Sequence, residues 1–346
     1  MPSAPTPQPR ADRRRFLAAA SAALGAGLAA AALGGWPGAA SAQTAAYPTR
    51  PITVIVPFAA GGPTDTVARL VAETMGRDLG QPVVVENVGG AGGTLGAARV
   101  ANARPDGYTV LLHHIGMGTT PALYRRLPYD PVNGFETVGL VTEVPMTIIA
   151  KRDIGVNDLA GLVALMRQRR EALNLANAGV GAASHLCGLL LQSAAGAQVT
   201  TVPYRGTGPA MTDLLSGTVD VMCDQTTNTT EQIRAGSVRA FAVTTRERLA
   251  ALPDLPTAAE AGLPGFEVSV WHGVYTPRGT PAAVNERLSR ALQAALRDER
   301  VVSRFAELGT APVSQERATP AAHREFWHAD IARWRPIIQA AGQYAD

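Results

Sequence analysis

The side chains that could build a catalytic site are few in this chain, and their spacing does not suit one. Ser184 and His185 lie in "GAASHLC", which lacks the flanking glycines that hold a serine nucleophile on a sharp strand-to-helix turn. Asp224 ends "VDVMCD" alone, so no carboxylate pair stands ready for acid-base work. His113 and His114 are adjacent, and His323 and His328 are five apart, whereas two helical ligands of one metal are spaced by four. Hydrogen bonding is the role expected of these imidazoles. No catalytic residue, metal ligand or cofactor is assigned.

Nucleotide loops fail on the same test. Gly90-Ala91-Gly92 needs a third glycine where Leu95 stands, Gly116-Met117-Gly118 where Pro121 stands, and Gly206-Thr207-Gly208 where Met211 stands. Lys151 is the only lysine, so no phosphate loop ends in Lys-Ser or Lys-Thr.

What remains is a set of small-residue turns that open helices. An apolar run ends in Phe58-Ala59-Ala60-Gly61-Gly62, and Thr64 and Asp65 are expected to cap a helix starting at Thr66-Val67. "NVGGAGGTLG" repeats the device with Gly92, Gly93 and Thr94, and "NAGVGAASHL" and "PYRGTGPAMTDLL" repeat it later. Turns of this kind let a ligand reach unpaired backbone N–H groups at the positive end of a helix dipole, which suits a small anion. Ser184 either caps its helix or faces a ligand, and Asp224 either closes its strand or receives a ligand donor.

The elements that position these turns alternate. "ITVIVPF", "PVVVENV" and "YTVLLHH" read as strands, each followed by a helical pattern, as with Val67, Leu70, Val71 and Met75. "TVGLVTEVPMTIIAK" is long enough to cross between domains. A second series runs through "LNLANAG", "ASHLCGLLLQSAAG", "VTTVPY", "PAMTDLLSG", "TVDVMCD" and "VRAFAVTT". Two helices then close the chain, with Thr280-Pro281 and Thr319-Pro320 as their starts. The pattern predicts two α/β lobes with mostly parallel sheets.

Arg13-Arg14-Arg15-Phe16-Leu17, the nearly uncharged run Ala18–Ala40 and the small-residue site Ala40-Ser41-Ala42 have the three regions of a secretory signal, with a twin-arginine character and cleavage after Ala42. Residues 1–42 hold four arginines and one acid, a net +3 that equals the charge of the whole chain, so the mature protein is formally neutral. No dense basic patch remains there, and nucleic acid is set aside as a partner. Cys187 and Cys223, the only cysteines, either pair or stay as buried thiols.

In order along the chain, "YPTRPITVIVPFAAGGPTDTVARLVA", "VVVENVGGAGGTLGAARVANARPDGYTVLL", "ASHLCGLLL", "VPYRGTGPAMTDLLSGTVDVMCD" and "LPTAAEAGLPGFEVSVWHGVYTPRGTP" resemble the solute-binding receptors of tripartite tricarboxylate transporters, the Bug receptors. The resemblance implies a type II periplasmic-binding fold, α/β throughout, with two lobes joined by two crossing strands around a ligand cleft. The lobes expected are 43–143 with 268–346, and 144–267. It implies a periplasmic, monomeric receptor that takes a small organic carboxylate, performs no chemistry and delivers its cargo to the membrane subunits of a transporter. A sensor subunit docking on a membrane signalling protein, or a secreted hydrolase, is the rival reading. The site residues it implies are Phe58, Ala59, Gly61, Gly62, Asp65 and Thr66 in the first loop, and Gly92, Gly93 and Thr94 in the second. From the other lobe come Ala183, Ser184 and His185, then Tyr204, Thr207 and Gly208, then Asp224, which would receive a ligand ammonium or hydroxyl. His113-His114-Ile115 departs from the small or hydroxyl residues common there in the family, and His113 is added to the site on that ground.

Overall fold

The computed structural model of the chain describes residues 47–341 and 344–345. The expected leader, its twin-arginine character and its cleavage after Ala42 lie outside the described residues.

The first strand-helix units form where the apolar periods place them. Strand β1 (Ile52–Val56) runs into helix α1 (Pro63–Leu79), then β2 (Val83–Asn87), a single 3-10 turn at Ala91–Gly93, α2 (Thr94–Ala101), β3 (Thr109–His114) and α3 (Gly116–Leu123). Helix α1 begins three residues earlier than the caps suggest. Pro63 fits its first turn because a proline has no N–H to leave unpaired, and Gly62 is the N-cap residue. Its apolar stripe, Val67, Val71 and Met75, is buried against the sheet.

The long strand β4 (Phe135–Lys151) leads to α4 (Leu159–Arg169), β5 (Asn174–Asn177), α5 (Ala183–Ala195), β6 (Thr200–Pro203), α6 (Thr207–Ser216), β7 (Val221–Gln225), α7 (Thr226–Arg234) and β8 (Val238–Val243). The chain returns through β9 (Ser269–Pro277) to α8 (Ala282–Ala295), α9 (Glu299–Glu307) and α10 (Pro320–Ala341). The C-terminal region thus holds three helices where two were expected. Only Thr319 caps as expected, its hydroxyl accepting from Ala322 N–H at 3.3 Å. The Thr280 hydroxyl donates instead to Pro277 O, and Pro281 takes the N-cap position of α8.

The strand order is β2-β1-β3-β9-β4-β7-β5-β6, with β8 also on β4. In the first lobe β2, β1 and β3 are parallel, and β9 runs antiparallel between β3 and β4. In the second, β7, β5 and β6 are parallel and β4 is antiparallel to β7 and β8. Strand β4 changes partners at one step: Phe135 to Pro145 face β9, and Met146 to Lys151 face β7 and β8. Thr244 ties both crossings there. Its N–H donates to Met146 O (2.9 Å), its hydroxyl lies 2.6 Å from Val268 O, and Val268 N–H donates back to Thr244 O (3.1 Å).

Trp327, Tyr275 and Phe305 are fully buried around β9 and the C-terminal helices, which return to the first lobe. A disulfide joins Cys187 on α5 to Cys223 on β7, deciding between the two states left open by sequence. No described helix is long and apolar enough to cross a membrane.

Candidate functional site

Four strands in this fold lead, directly or through a short loop, into helices that start at one place. The chain passes from β1 into α1, from β5 into α5, from β6 into α6 and from β7 into α7, all at strand carboxyl ends, where the first N–H groups of each helix have no intrahelical partner. Between them, at the seam of the two lobes, is a small cavity. The first lobe contributes Phe58, Gly62, Pro63, Thr64 and His114; the second contributes Ala178, Ala183, Ser184, Thr207, Asp224 and Gln225. The space left, about 10 Å³ for water centres, holds about one water molecule, so the lobes are shut on each other.

Backbone and side chains both close the seam. The Thr226 and Thr230 hydroxyls donate to Gly309 O (3.3 Å) and Leu308 O (3.2 Å), and Arg304 pairs with Glu231. Ala59 N–H donates to Arg205 O across the seam at 2.9 Å. The Tyr124 hydroxyl lies 2.8 Å from Ala91 O on its own lobe and 2.9 Å from Val180 O on the other. Glycine is required where the two backbones come closest. A Cβ at Gly92, whose φ is +61°, would stand 1.9 Å from Val180 O, and one at Gly208 would stand 2.6 Å from Ala60 O.

No arginine or lysine lines the cavity. Positive potential comes instead from the helix N-termini, which favour a negative group without fixing it as an ion pair would. His114 lies against the Phe58 ring, with centroids 4.6 Å apart, and its Nδ1 accepts from Gly116 N–H at 2.9 Å. That bond puts the neutral ring's proton on Nε2. Burial pushes His114 down to about 3, so it stays uncharged at neutral pH. Asp224 is 1% exposed, and burial raises its carboxyl to about 7. Its Oδ2 accepts from Asn228 Nδ2 at 2.5 Å, while Oδ1 has no partner. The Thr207 hydroxyl is near enough to favour the charged form but makes no hydrogen bond of good geometry with it.

Six of the expected site residues line the cavity: Phe58, Gly62, Ala183, Ser184, Thr207 and Asp224. Ser184 does not cap α5, whose N-cap residue is Ala182; its hydroxyl oxygen instead accepts from Ala178 N–H in the preceding turn at 2.8 Å. Ala59 and Gly208 belong to the seam, as does Gly92.

The others are placed differently from expectation. Asp65, 4% exposed, does not reach the cavity: it accepts from Gly61 N–H (3.0 Å), Arg69 Nε (2.9 Å) and Asn87 Nδ2 (2.9 Å). Burial alone would raise this carboxyl, but those three bonds outweigh it and hold it below the ordinary range. Gly61 is thereby spent on the loop's own turn. The Thr66 and Thr94 hydroxyls donate to backbone carbonyls one turn back, Gly62 O and Ala91 O. Gly93 makes room for His113, whose Nε2 would be 2.8 Å from a Cβ there. Adjacent strand residues point to opposite faces, and it is His114, not His113, that lines the cavity. His185 faces the outer groove between α5 and α10, and its Nδ1 accepts from Gly181 N–H at 3.3 Å. The Tyr204 hydroxyl is directed to Asp213 Oδ2 at 2.6 Å and its ring packs on the second lobe's own core.

Sequence reasoning missed Pro63, Thr64, His114, Ala178 and Gln225. Strand alternation could have separated His114 from His113, and the helix start could have been moved back to Pro63. Gln225 carried no signal beyond standing next to Asp224.

Comparison with known proteins points to one family. A protein of Agrobacterium vitis encoded in the TAR-I ttuE–ttuC′ intergenic region is 54% identical over 297 residues, covering 86% of each chain. The structure of the periplasmic binding protein BugD superposes with a TM-score of 0.84 at 49% identity, over 87% of this chain and 100% of that one. MatC from Rhodopseudomonas palustris with bound malate superposes with a TM-score of 0.81 at 42% identity, over 84% and 100%. The model of the tripartite tricarboxylate transporter family receptors matches residues 67–343, and the chain belongs to that family.

Proposed function

We propose that this chain is a periplasmic receptor that captures a small organic carboxylate between its lobes and delivers it to the membrane subunits of a tripartite transporter. One observation carries the reading: four helix N-termini converge on a buried, lysine- and arginine-free cavity at the seam. Such a site attracts an anion by dipoles and N–H groups and can still release it. MatC, similar over most of its length, holds malate, a dicarboxylate.

On this reading the two bodies that open and close are 43–143 with 268–346, and 144–267. They hinge where β4 changes partners and where Thr244 ties the two crossings. The chain is exported on a twin-arginine-type leader removed after Ala42, works as a monomer and performs no chemistry.

Native mass spectrometry of the mature protein, followed by thermal-shift screening against mono-, di- and tricarboxylates, tests the proposal. A retained acid or a selective rise in melting temperature supports it, because a ligand bound only by the folded state stabilises that state. If no carboxylate changes the melting point and turnover of any is detected, the reading fails.

A further inference from the structure

His114 on β3 and His272 on β9 are direct cross-strand partners, almost fully buried, with ring centroids 6.0 Å apart. Such a pair points its side chains to one face of the sheet. Both rings stay uncharged, because burial holds each well below the ordinary imidazole range. A neutral imidazole has one donor and one acceptor, so a hydrogen bond made at one nitrogen settles what the other offers.

His114 lines the cavity, and its Nδ1 is taken by Gly116 N–H. Nε2 therefore carries the proton, and it has no partner among the described residues. His272 stands behind the cavity wall and reaches it only through Thr64, with Nε2 3.4 Å from the Thr64 hydroxyl oxygen. Its Nδ1 is buried with no partner. A proton there would be a buried N–H without an acceptor, a rare and costly state, so the proton belongs on Nε2 and is donated to Thr64. Thr64 Oγ1 makes no other hydrogen bond among the described residues, which leaves its own hydrogen free, and Thr64 lines the cavity. The first lobe thus offers two side-chain donors to the enclosed space, and each is fixed in that sense by a bond on its far side.

We propose that His114 Nε2 and the Thr64 hydroxyl donate to one carboxylate of the ligand, and that His272, outside the cavity, is a positioning residue that directs the Thr64 hydrogen inward. The inference rests on the receptor reading and deepens it, because this pair makes the site choose an acid over its amide. A carboxylate meets both donors with lone pairs. A carboxamide has hydrogens on one of its two arms and sets donor against donor there. His114 cannot relieve that clash by exchanging tautomers while Gly116 N–H occupies Nδ1.

The test is calorimetric titration of the mature protein with succinate and succinamate, malate and its monoamides, and the tightest acid of the screen beside its amide. The wild type is expected to bind the acid at least ~10-fold more tightly than the amide. His114→Phe and Thr64→Val should each weaken the acid by about 10- to 100-fold, the loss of one hydrogen bond to a charged group. His114→Gln, whose side-chain amide can turn either arm to the ligand, should keep part of the acid affinity and bring the acid-to-amide ratio toward one. His272→Phe should weaken the acid in the wild-type background and have little effect in Thr64→Val, and His272→Gln, which can still donate to Thr64, should restore binding. Melting curves without ligand check folding, and Thr64→Val with His114→Gln decide the donor assignment even where His272→Phe is unstable. Equal binding of acid and amide by the wild type, or a His114→Phe protein with the wild-type affinity and ratio, overturns the donor pair while leaving the receptor reading intact. A His272→Phe cost that is the same in both backgrounds overturns the positioning role. If no carboxylate of any kind binds the wild type, the receptor reading falls and the inference with it.

Discussion

Gly208→Ala separates folding from closure, because the added methyl has room within its own lobe and none across the seam. The Cβ would stand 2.6 Å from Ala60 O, and its next nearest neighbours, Gly61 C and Gly62 N at 3.3 Å, also belong to the first lobe. Gly208 is the second residue of α6 and has no left-handed backbone to strain. Alanine in a helix is favoured over glycine by roughly 0.5–1 kcal/mol, so the unliganded melting temperature should hold or rise slightly. Reaching a contact of ~3.5 Å requires the seam to open by about 0.9 Å. That displacement stretches the 2.9 Å Ala59–Arg205 hydrogen bond beyond useful geometry. One backbone bond contributes about 0.5–1.5 kcal/mol, and lost packing beside it brings the cost of closing to roughly 1–3 kcal/mol, or about 5- to 150-fold in affinity. Calorimetric titration with the best carboxylate, beside thermal melts and small-angle scattering with and without ligand, reads all three quantities. A Gly208→Ala protein that binds as tightly as wild type and contracts equally would refute the claim that the closed seam is the ligand-bound form.

Asp65→Ala should behave in the opposite way. It removes three hydrogen bonds to a buried carboxylate, from Gly61 N–H, Arg69 Nε and Asn87 Nδ2, at about 2–3 kcal/mol of stability by denaturant titration. Because the Asp65 carboxyl is held below its ordinary range, its contribution is complete above the unfolded carboxylate range and is lost as pH falls through the lowered value; the stability gap between Asp65→Ala and wild type should therefore narrow on acidification, and a gap independent of pH would count against the network. Replacing Cys187 and Cys223 together with alanine removes a link spanning 36 residues, worth about 4 kcal/mol in the chain-entropy account. A fall in unfolding free energy below ~1 kcal/mol would show that the bond adds little there.

The fold was legible in the sequence because it rests on period and punctuation. Val67, Val71 and Met75 mark one face of α1, Gly80 stops it in the left-handed conformation, and the apolar run 137–151 is long enough to serve two sheets. The missed helix α9 is short, with only Val301 and Phe305 buried, so its pattern spans too few turns to stand out. The site was legible only as loops. Phe58–Gly62, Ala183–Ser184, Thr207 and Asp224 do converge, yet the sequence does not tell which side chain in a loop faces inward. Asp65 and Asp224 look alike as lone acids beside helix starts. They differ because Asn87 and Arg69, 22 and four residues away, meet Asp65 in space, whereas only Asn228 meets Asp224.

That difference divides the work of the molecule. The contacts that shut the lobes are the main-chain bond from Ala59 to Arg205, glycines at 92 and 208 that let two backbones approach, and side chains away from the cavity: Tyr124 beside Val180 O, Thr226 and Thr230 on Gly309 O and Leu308 O, and Arg304 with Glu231. None of these residues lines the cavity, so the contacts of closure are separate from the cavity wall. On the proposed receptor reading, ligand choice falls to the side chains that line the cavity, among them His114, Thr207, Asp224 and Gln225, none of which holds the hinge at Thr244. A substitution among those four is then expected to redirect the receptor to another acid while leaving the seam contacts in place. One at the seam changes affinity for every ligand alike. The ratio of affinities for two acids therefore reports on the cavity, and their common factor reports on closure, which allows the two to be measured separately in one set of variants.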